Sequence, residues 1–214
     1  MMRETFGAVL AAILTVCAPA VAMSQTAEPA PAAAPAPRPM SDFLVNQPHV
    51  PNWIIWGLPN GPEVRTDPGV TGGQALRVVV SEQADPWAVG GVMPTNAAIT
   101  TGDVLLLAVW LRAVPAEGTD EASARISLLK LEQKDVPDGT IAAVSDIDVG
   151  ARWQMVYASG VAGKDYAADQ TAIAVLLAAR PQTIDVGPAL LFNLGPNFDV
   201  GRLPRNAPQA PAAP

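Results

Sequence analysis

The sequence predicts an all-β chain: a single antiparallel jelly-roll β-sandwich set between disordered Pro/Ala-rich tails. Three observations lead there. Apolar runs of strand length recur between residues 41 and 196, and each is closed by Gly, Pro, Asn or Asp. Helical periodicity is nearly absent, with room for one helical turn in the acidic stretch 165–170. The longest run, 104–113 (VLLLAVWLRA), follows the Gly102-Asp103 turn signal and stops before Pro115. It is rich in branched and aromatic residues, as a strand covered on both faces should be. Because strand side chains alternate, Leu105, Leu107, Val109 and Leu111 share a core-like face, and Val104, Leu106, Ala108, Trp110 and Arg112 share the other.

The remaining elements follow in order. Trp53-Ile54-Ile55-Trp56 is a short apolar run stopped by Gly57 and Pro59. Residues 75–81 (ALRVVVS) follow the Gly72-Gly73 turn, and 88–93 precede the long run. Residues 125–133 alternate in part, and 140–149 follow Asp138-Gly139, a strong turn dipeptide. Trp153, Met155 and Tyr157 form a period-2 set expected to face the core. Residues 171–179 and 183–194 complete the series.

The chain has 214 residues, enough for one ordinary domain with targeting and linker segments. Half of it is hydrophobic, 15% is charged, and the net charge is −7. That balance argues against nucleic acid and anionic membrane surfaces, which attract clustered Lys and Arg. Residues 1–22 read as a signal peptide: Arg3, an apolar run over 6–16 too short to span a bilayer, and an Ala20-Val21-Ala22 cleavage pattern. The sole cysteine, Cys17, lies inside it. A lipid-attachment box at Leu14-Thr15-Val16-Cys17 is the lesser reading, because Val16 stands where a small residue is normal. The expected product is secreted or periplasmic and free of cysteine. Residues 23–40 are a Pro/Ala linker favouring polyproline II geometry, 41–196 the folded domain, and 197–214 a Pro-rich tail.

The ordered motifs of the body carry a resemblance. They are Gly-Gly-x-Ala-Leu-Arg-Val (72–78), Pro86-Trp87-x-Val89, Ile99-x-x-Gly102-Asp103 and Trp110-Leu111-Arg112-Ala113. Val149-Gly150-x-x-Trp153-Gln154 and Ile184-Asp185-Val186-Gly187-Pro188-x-Leu190 follow them. The series resembles carbohydrate-binding modules of the family 4/9 type, within the galactose-binding-domain-like jelly rolls. The resemblance implies non-catalytic binding of a polysaccharide or oligosaccharide through a groove on the sandwich. It also implies a structural calcium, for which Asp185 is the one candidate ligand; no other cofactor is expected.

Catalytic constellations are sparse. His49 is the only histidine and sits in a Pro-rich segment, so a zinc site would need mostly carboxylates. No G-x-S-x-G elbow and no phosphate-cradling Gly-rich loop occurs. Asp146 and Asp148, with Glu132 on a neighbouring strand, are the remaining carboxylate set, and a solvated sheet face explains them without catalysis. The chain is expected not to be an enzyme.

Aromatic rings give the better clue, since sugar C–H faces stack on them while hydroxyls bond polar neighbours. Trp53 and Trp56 are expected to pack in the core or at its rim. Trp87 follows Asp85-Pro86 at a loop-to-strand boundary and is expected to be exposed. Trp110 and Arg112 share a face that a neighbouring strand carrying Lys130, Glu132 or Gln133 would complete. Trp87, Trp110, Arg112 and Gln133 are therefore the candidate sugar-binding residues. The competing placement buries Trp110 and pairs Arg112 with Glu132 at the sheet edge, and the sequence leaves both open. The alternative function is an envelope structural or interaction protein on the same jelly roll, its face docking an envelope protein; the 5% aromatic content favours it.

Overall fold

In a computed structural model the described residues are 38–207, apart from 83, 116, 117, 120 and 121. The signal peptide and most of the linker lie outside them. Ten strands form two five-stranded sheets, and every pairing is antiparallel. They are β1 (Ile54–Trp56), β2 (Glu63–Thr66), β3 (Gln74–Val80), β4 (Gly90–Pro94) and β5 (Val104–Val114). The rest are β6 (Ser123–Gln133), β7 (Thr140–Gly150), β8 (Gln154–Val161), β9 (Thr171–Leu176) and β10 (Gln182–Asn193). The first sheet runs β1-β4-β9-β6-β7 and the second β2-β3-β10-β5-β8.

Alternation along β5 decides the packing. Leu105, Leu107, Val109 and Leu111 are fully buried between the sheets, where they meet Ile126, Leu129 and Leu131 of β6 and Ile173 and Val175 of β9 in one core. The β5 face expected to be core is core. Trp53 joins it at 5% exposure, its indole N–H donating to the Gly187 carbonyl at 3.0 Å.

Three features depart from the sequence reading. β2 was not anticipated: Glu63-Val-Arg-Thr66 is a short edge strand with every residue exposed, so it has no buried face to mark it. In β8 the core positions are Val156 and Ala158, while Trp153, Met155 and Tyr157 point to the outer face and are half-buried. Period 2 groups residues on one face without saying which side of the sheet that face is. The packed body also continues past residue 196. Leu203 is buried with Phe198 against Val104, Leu106, Tyr157 and Phe192, and the Asn206 amide exchanges two 2.8 Å hydrogen bonds with the Tyr157 backbone on the edge strand β8.

The sandwich closes along one side where β7 meets β8. A Cβ on Gly160 would stand 2.2 Å from the Ile141 carbonyl oxygen, whereas a Cβ on Gly150 would meet nothing within 4 Å. Gly160→Ala is therefore expected to destabilise the fold by about 1–3 kcal/mol through overpacking against backbone. Gly150→Ala should change stability by no more than about 0.5 kcal/mol. Urea unfolding midpoints of the two variants check this, and equal midpoints would contradict the close approach.

Candidate functional site

The two outer faces of the sandwich are built differently. On the second sheet, cross-strand register sets Glu63, Arg77, Asp185 and Arg112 in one row. Asp185 is only 1% exposed. Arg77 grips it through two hydrogen bonds, Nε to Oδ1 at 2.8 Å and Nη2 to Oδ2 at 3.0 Å. Arg112 donates to the same Oδ2 and also reaches Asp67 Oδ2 at 2.7 Å. Its guanidinium stands 4.7 Å from the Trp153 ring, whose N–H donates to Asp67 at 3.3 Å. The buried carboxylate thus has two cationic partners, the arrangement that makes a buried charge tolerable.

This cluster fastens the β2–β3 connection, residues 67–73, onto the sheet. The Gly69 N–H donates to Asp67 Oδ1 at 2.8 Å, and Val70 is 4% exposed. A Cβ at Gly187 would meet both Val70 and the Trp110 Cβ, so the connection and the Trp110 ring share that surface. Trp110 is half-buried, and its enclosed indole N–H has no hydrogen-bond partner among the described residues. The Gly69 amide, then the Trp153 and Arg112 partners, hold the Asp67 carboxyl below its ordinary range against the opposing effect of burial. The Asp185 hydrogen bonds raise Arg77 further above its usual value.

The four candidate residues do not meet. Trp110 and Arg112 lie on this covered face, and Gln133 ends β6 of the other sheet, its N–H donating to the Gly139 carbonyl at 2.8 Å. Arg112 pairs with Asp185 and Asp67, not with Glu132, because β5 and β6 belong to different sheets. Glu132 pairs instead with Lys130. Asp185, the calcium candidate, is engaged by two guanidinium groups. Among the described residues no group of three or more His, Cys, Asp or Glu could hold a metal ion. Asp146 and Asp148 both pair with Arg125, each at 3.2 Å.

Trp87 lies at the first sheet, in the turn leading into β4, and is 63% exposed. The outer face beside it is exposed along its β1 edge, where Ile54 is 62% exposed. Register aligns Trp56, Gly90, Leu176 and Leu128 in one row, and Ile54, Val92, Ala174 and Lys130 in the next. The Trp56 ring crosses Gly90 so closely that a Cβ there would stand 2.5 Å from Cζ2. Its indole N–H donates to the Trp87 carbonyl at 2.8 Å, which ties the two tryptophans together. At the far end of β1 and β4 lies a depression of about 370 Å³, lined by Gln47, Asn52, Ile54, Pro94, Asn96 and Asp169 among others.

Sequence reasoning assigned Trp56 to core or rim, since its run Trp53-Ile54-Ile55-Trp56 is apolar throughout and hides which residue faces out. Gln47, Asn52, Asn96 and Asp169 sit in connections, where no periodicity marks them. Only the fold assembles them.

No family model matches the chain, and no curated protein matches it. Solved structures do. The second N-terminal cellulose-binding domain of Cellulomonas fimi β-1,4-glucanase C matches with a TM-score of 0.48 and 14% identity, over 70% of this chain and 95% of that one. The CBM22-1 xylan-binding domain of Paenibacillus barcinonensis Xyn10C gives 0.44 and 12%, over 72% and 92%. An arabinose-bound α-L-arabinofuranosidase matches at 0.47 and 14%; 70% of this chain spans 25% of that enzyme. Carbohydrate-binding modules are thus among the structures this chain is similar to, and the likeness is one of fold.

Two outcomes follow from the charge cluster. Asp185→Ala strands the Arg77 guanidinium and leaves Arg112 with Asp67 alone, and should destabilise the protein by about 3 kcal/mol in urea unfolding. Asp67 has a lowered native pKa, so its stabilising contribution is complete above the ordinary carboxylate value of 3.8 and is lost as pH falls through the lower native value. Between those limits Asp67→Asn should show a flatter fall of melting temperature with acid than the parent chain.

Proposed function

We propose that this chain is an exported, non-catalytic carbohydrate-binding protein that holds a polysaccharide or oligosaccharide on the outer face of its first sheet. The observation that carries the reading is the pairing of an exposed aromatic end, Trp87 tied to Trp56, with an exposed edge ending in an amide-rich depression. Flat rings suit the apolar faces of sugars, and amide side chains both donate to and accept from hydroxyls. The other outer face is covered in part by residues 67–73 and by the segment around Leu203, and its exposed apolar side chains, Val79 and Val161, are aliphatic.

A binding role without chemistry fits the carboxylates on this side. Asp146 and Asp148 share Arg125, and Glu132 is held by Lys130. A glycosidase needs a free pair across the scissile bond. Export is proposed from residues 1–22, whose composition is that of a leader.

The experiment is affinity electrophoresis of the mature protein through gels cast with xylan, mixed-linkage β-glucan or laminarin, beside a polymer-free gel. At least one polymer should retard the protein, and Trp87→Ala should remove most of that retardation while leaving the melting temperature within a few degrees. Release of reducing sugar from the same polymers would contradict the non-catalytic assignment.

A further inference from the structure

Resting on that carbohydrate-binding reading, the question the geometry answers is which way the ligand lies. We infer that the glycan is a neutral chain running lengthwise along β1 and β4, at the edge of the first sheet, from the Trp56–Trp87 end to the amide depression. It does not lie across the five strands.

The middle of the face is closed. Ala172 and Ala174 of β9 point outward, opposite the core residues Ile173 and Val175, yet they are only 1% and 3% exposed. Ala174 is flanked in register by Val92 and Lys130, and Ala172 by Pro94 and Glu132. Lys130 and Glu132 are ion-paired to each other beside them. A ligand crossing the strands would need these alanines as an accessible floor, and it would have to displace or ride over that pair.

The open surface lies along the edge instead. Ile54 is 62% exposed between Trp56 and the depression, and Trp87 is 63% exposed at the other end. Gly90 to Pro94 on β4 is four strand steps, about 13 Å at roughly 3.3 Å per residue, a length suited to a short stretch of glycan. The order of chemistry along it is directional: flat rings, then the aliphatic Ile54, then amides. Neither the Gln47 nor the Asn96 side chain has a hydrogen-bond partner among the described residues, so both are available to hydroxyl groups.

The charge pattern selects the ligand class. Asp169 is the one ionisable side chain lining the depression; the β6 cations Lys130 and Arg125 are paired to carboxylates, and the exposed Lys134, whose backbone N–H donates to the Gln170 carbonyl, stands outside the lining. A uronate-bearing chain would meet the Asp169 carboxylate and no cation in the lining itself, whereas an uncharged chain meets no repulsion.

Two double variants read the direction, using the same three polymers and the full mature chain. Gln47→Ala with Asn96→Ala should weaken binding roughly tenfold. Lys130→Met with Glu132→Gln should leave it within about twofold. Polygalacturonate should not retard the wild type. Loss of binding in the Lys130/Glu132 pair with retention in the Gln47/Asn96 pair would overturn the lengthwise path while leaving carbohydrate binding intact, as would no effect of either. Retardation by polygalacturonate alone would overturn the neutral class. Failure of every polymer to retard the wild type would remove the binding reading and this one together.

Discussion

Asp185 is a carboxylate that the fold buries on the outer side of a sheet, and the arrangement of the second sheet depends on its being neutralised there. An ionised carboxylate without partners at 1% exposure would be prohibitive. β3 and β5 flank β10, and each delivers an arginine in register with it, at positions 77 and 112. Strand pairing thus brings the charges together, and the charges in turn hold the pairing at that register, because a one-residue slip of β10 would turn Asp185 to the face opposite both arginines. Arg112 carries the network outward to Asp67 and Trp153, and through Asp67 the β2–β3 connection is pinned down.

That pinning makes the sandwich two-faced. One outer surface is occupied in part by the chain's own residues, Val70 near Trp110 and Gly187 and Leu203 with Phe198 over Val104 and Leu106, leaving only aliphatic side chains such as Val79 and Val161 exposed there. The other keeps an exposed aromatic ring, Trp87, together with the exposed Ile54, with no segment of the described chain over them. Scattered surface hydrophobes need no explanation, but a tryptophan tied by hydrogen bond to a second on one open strip is a different case. The asymmetry, more than any single residue, directs the functional reading to the first sheet.

How legible this was in the sequence varies by element. β5 was legible because a long run between a Gly-Asp turn and a proline fixes both its ends and its alternation. β8 was legible as a strand and misread as to face: its larger aromatic side chains lie outside because Val156 and Ala158 are what fit between the sheets. Asp185 was singled out for calcium, yet its partners Arg77 and Arg112 are 108 and 73 residues away, a separation across which sequence pattern says nothing. Arg112 was given a carboxylate partner, and it has two, but the choice of Glu132 assumed β5 and β6 to be sheet neighbours. β5 and β6, though consecutive, sit in opposite sheets, and that topology is fixed by packing between sheets, not by local composition. The depression was invisible for the same reason, since Gln47, Asn96 and Asp169 come from separate connections.

The tie between Trp56 and Trp87 bears on how well such a face can bind. An exposed indole on a loop must be ordered when a ligand stacks on it, and that ordering subtracts from affinity. Here the loop carbonyl of Trp87 is already held by the Trp56 N–H, and Trp56 itself is laid against the sheet because Gly90 leaves room for its ring. The glycine is therefore part of the platform without presenting any group to a ligand: a side chain at position 90 would lift the Trp56 ring and with it the carbonyl contact that steadies Trp87. Glycine is depleted in strands on propensity alone, and Gly90 opens β4. Its presence in β4 makes physical sense as the condition for a preorganised aromatic end on a strip whose opposite end is polar, which is the arrangement an oriented sugar chain would require.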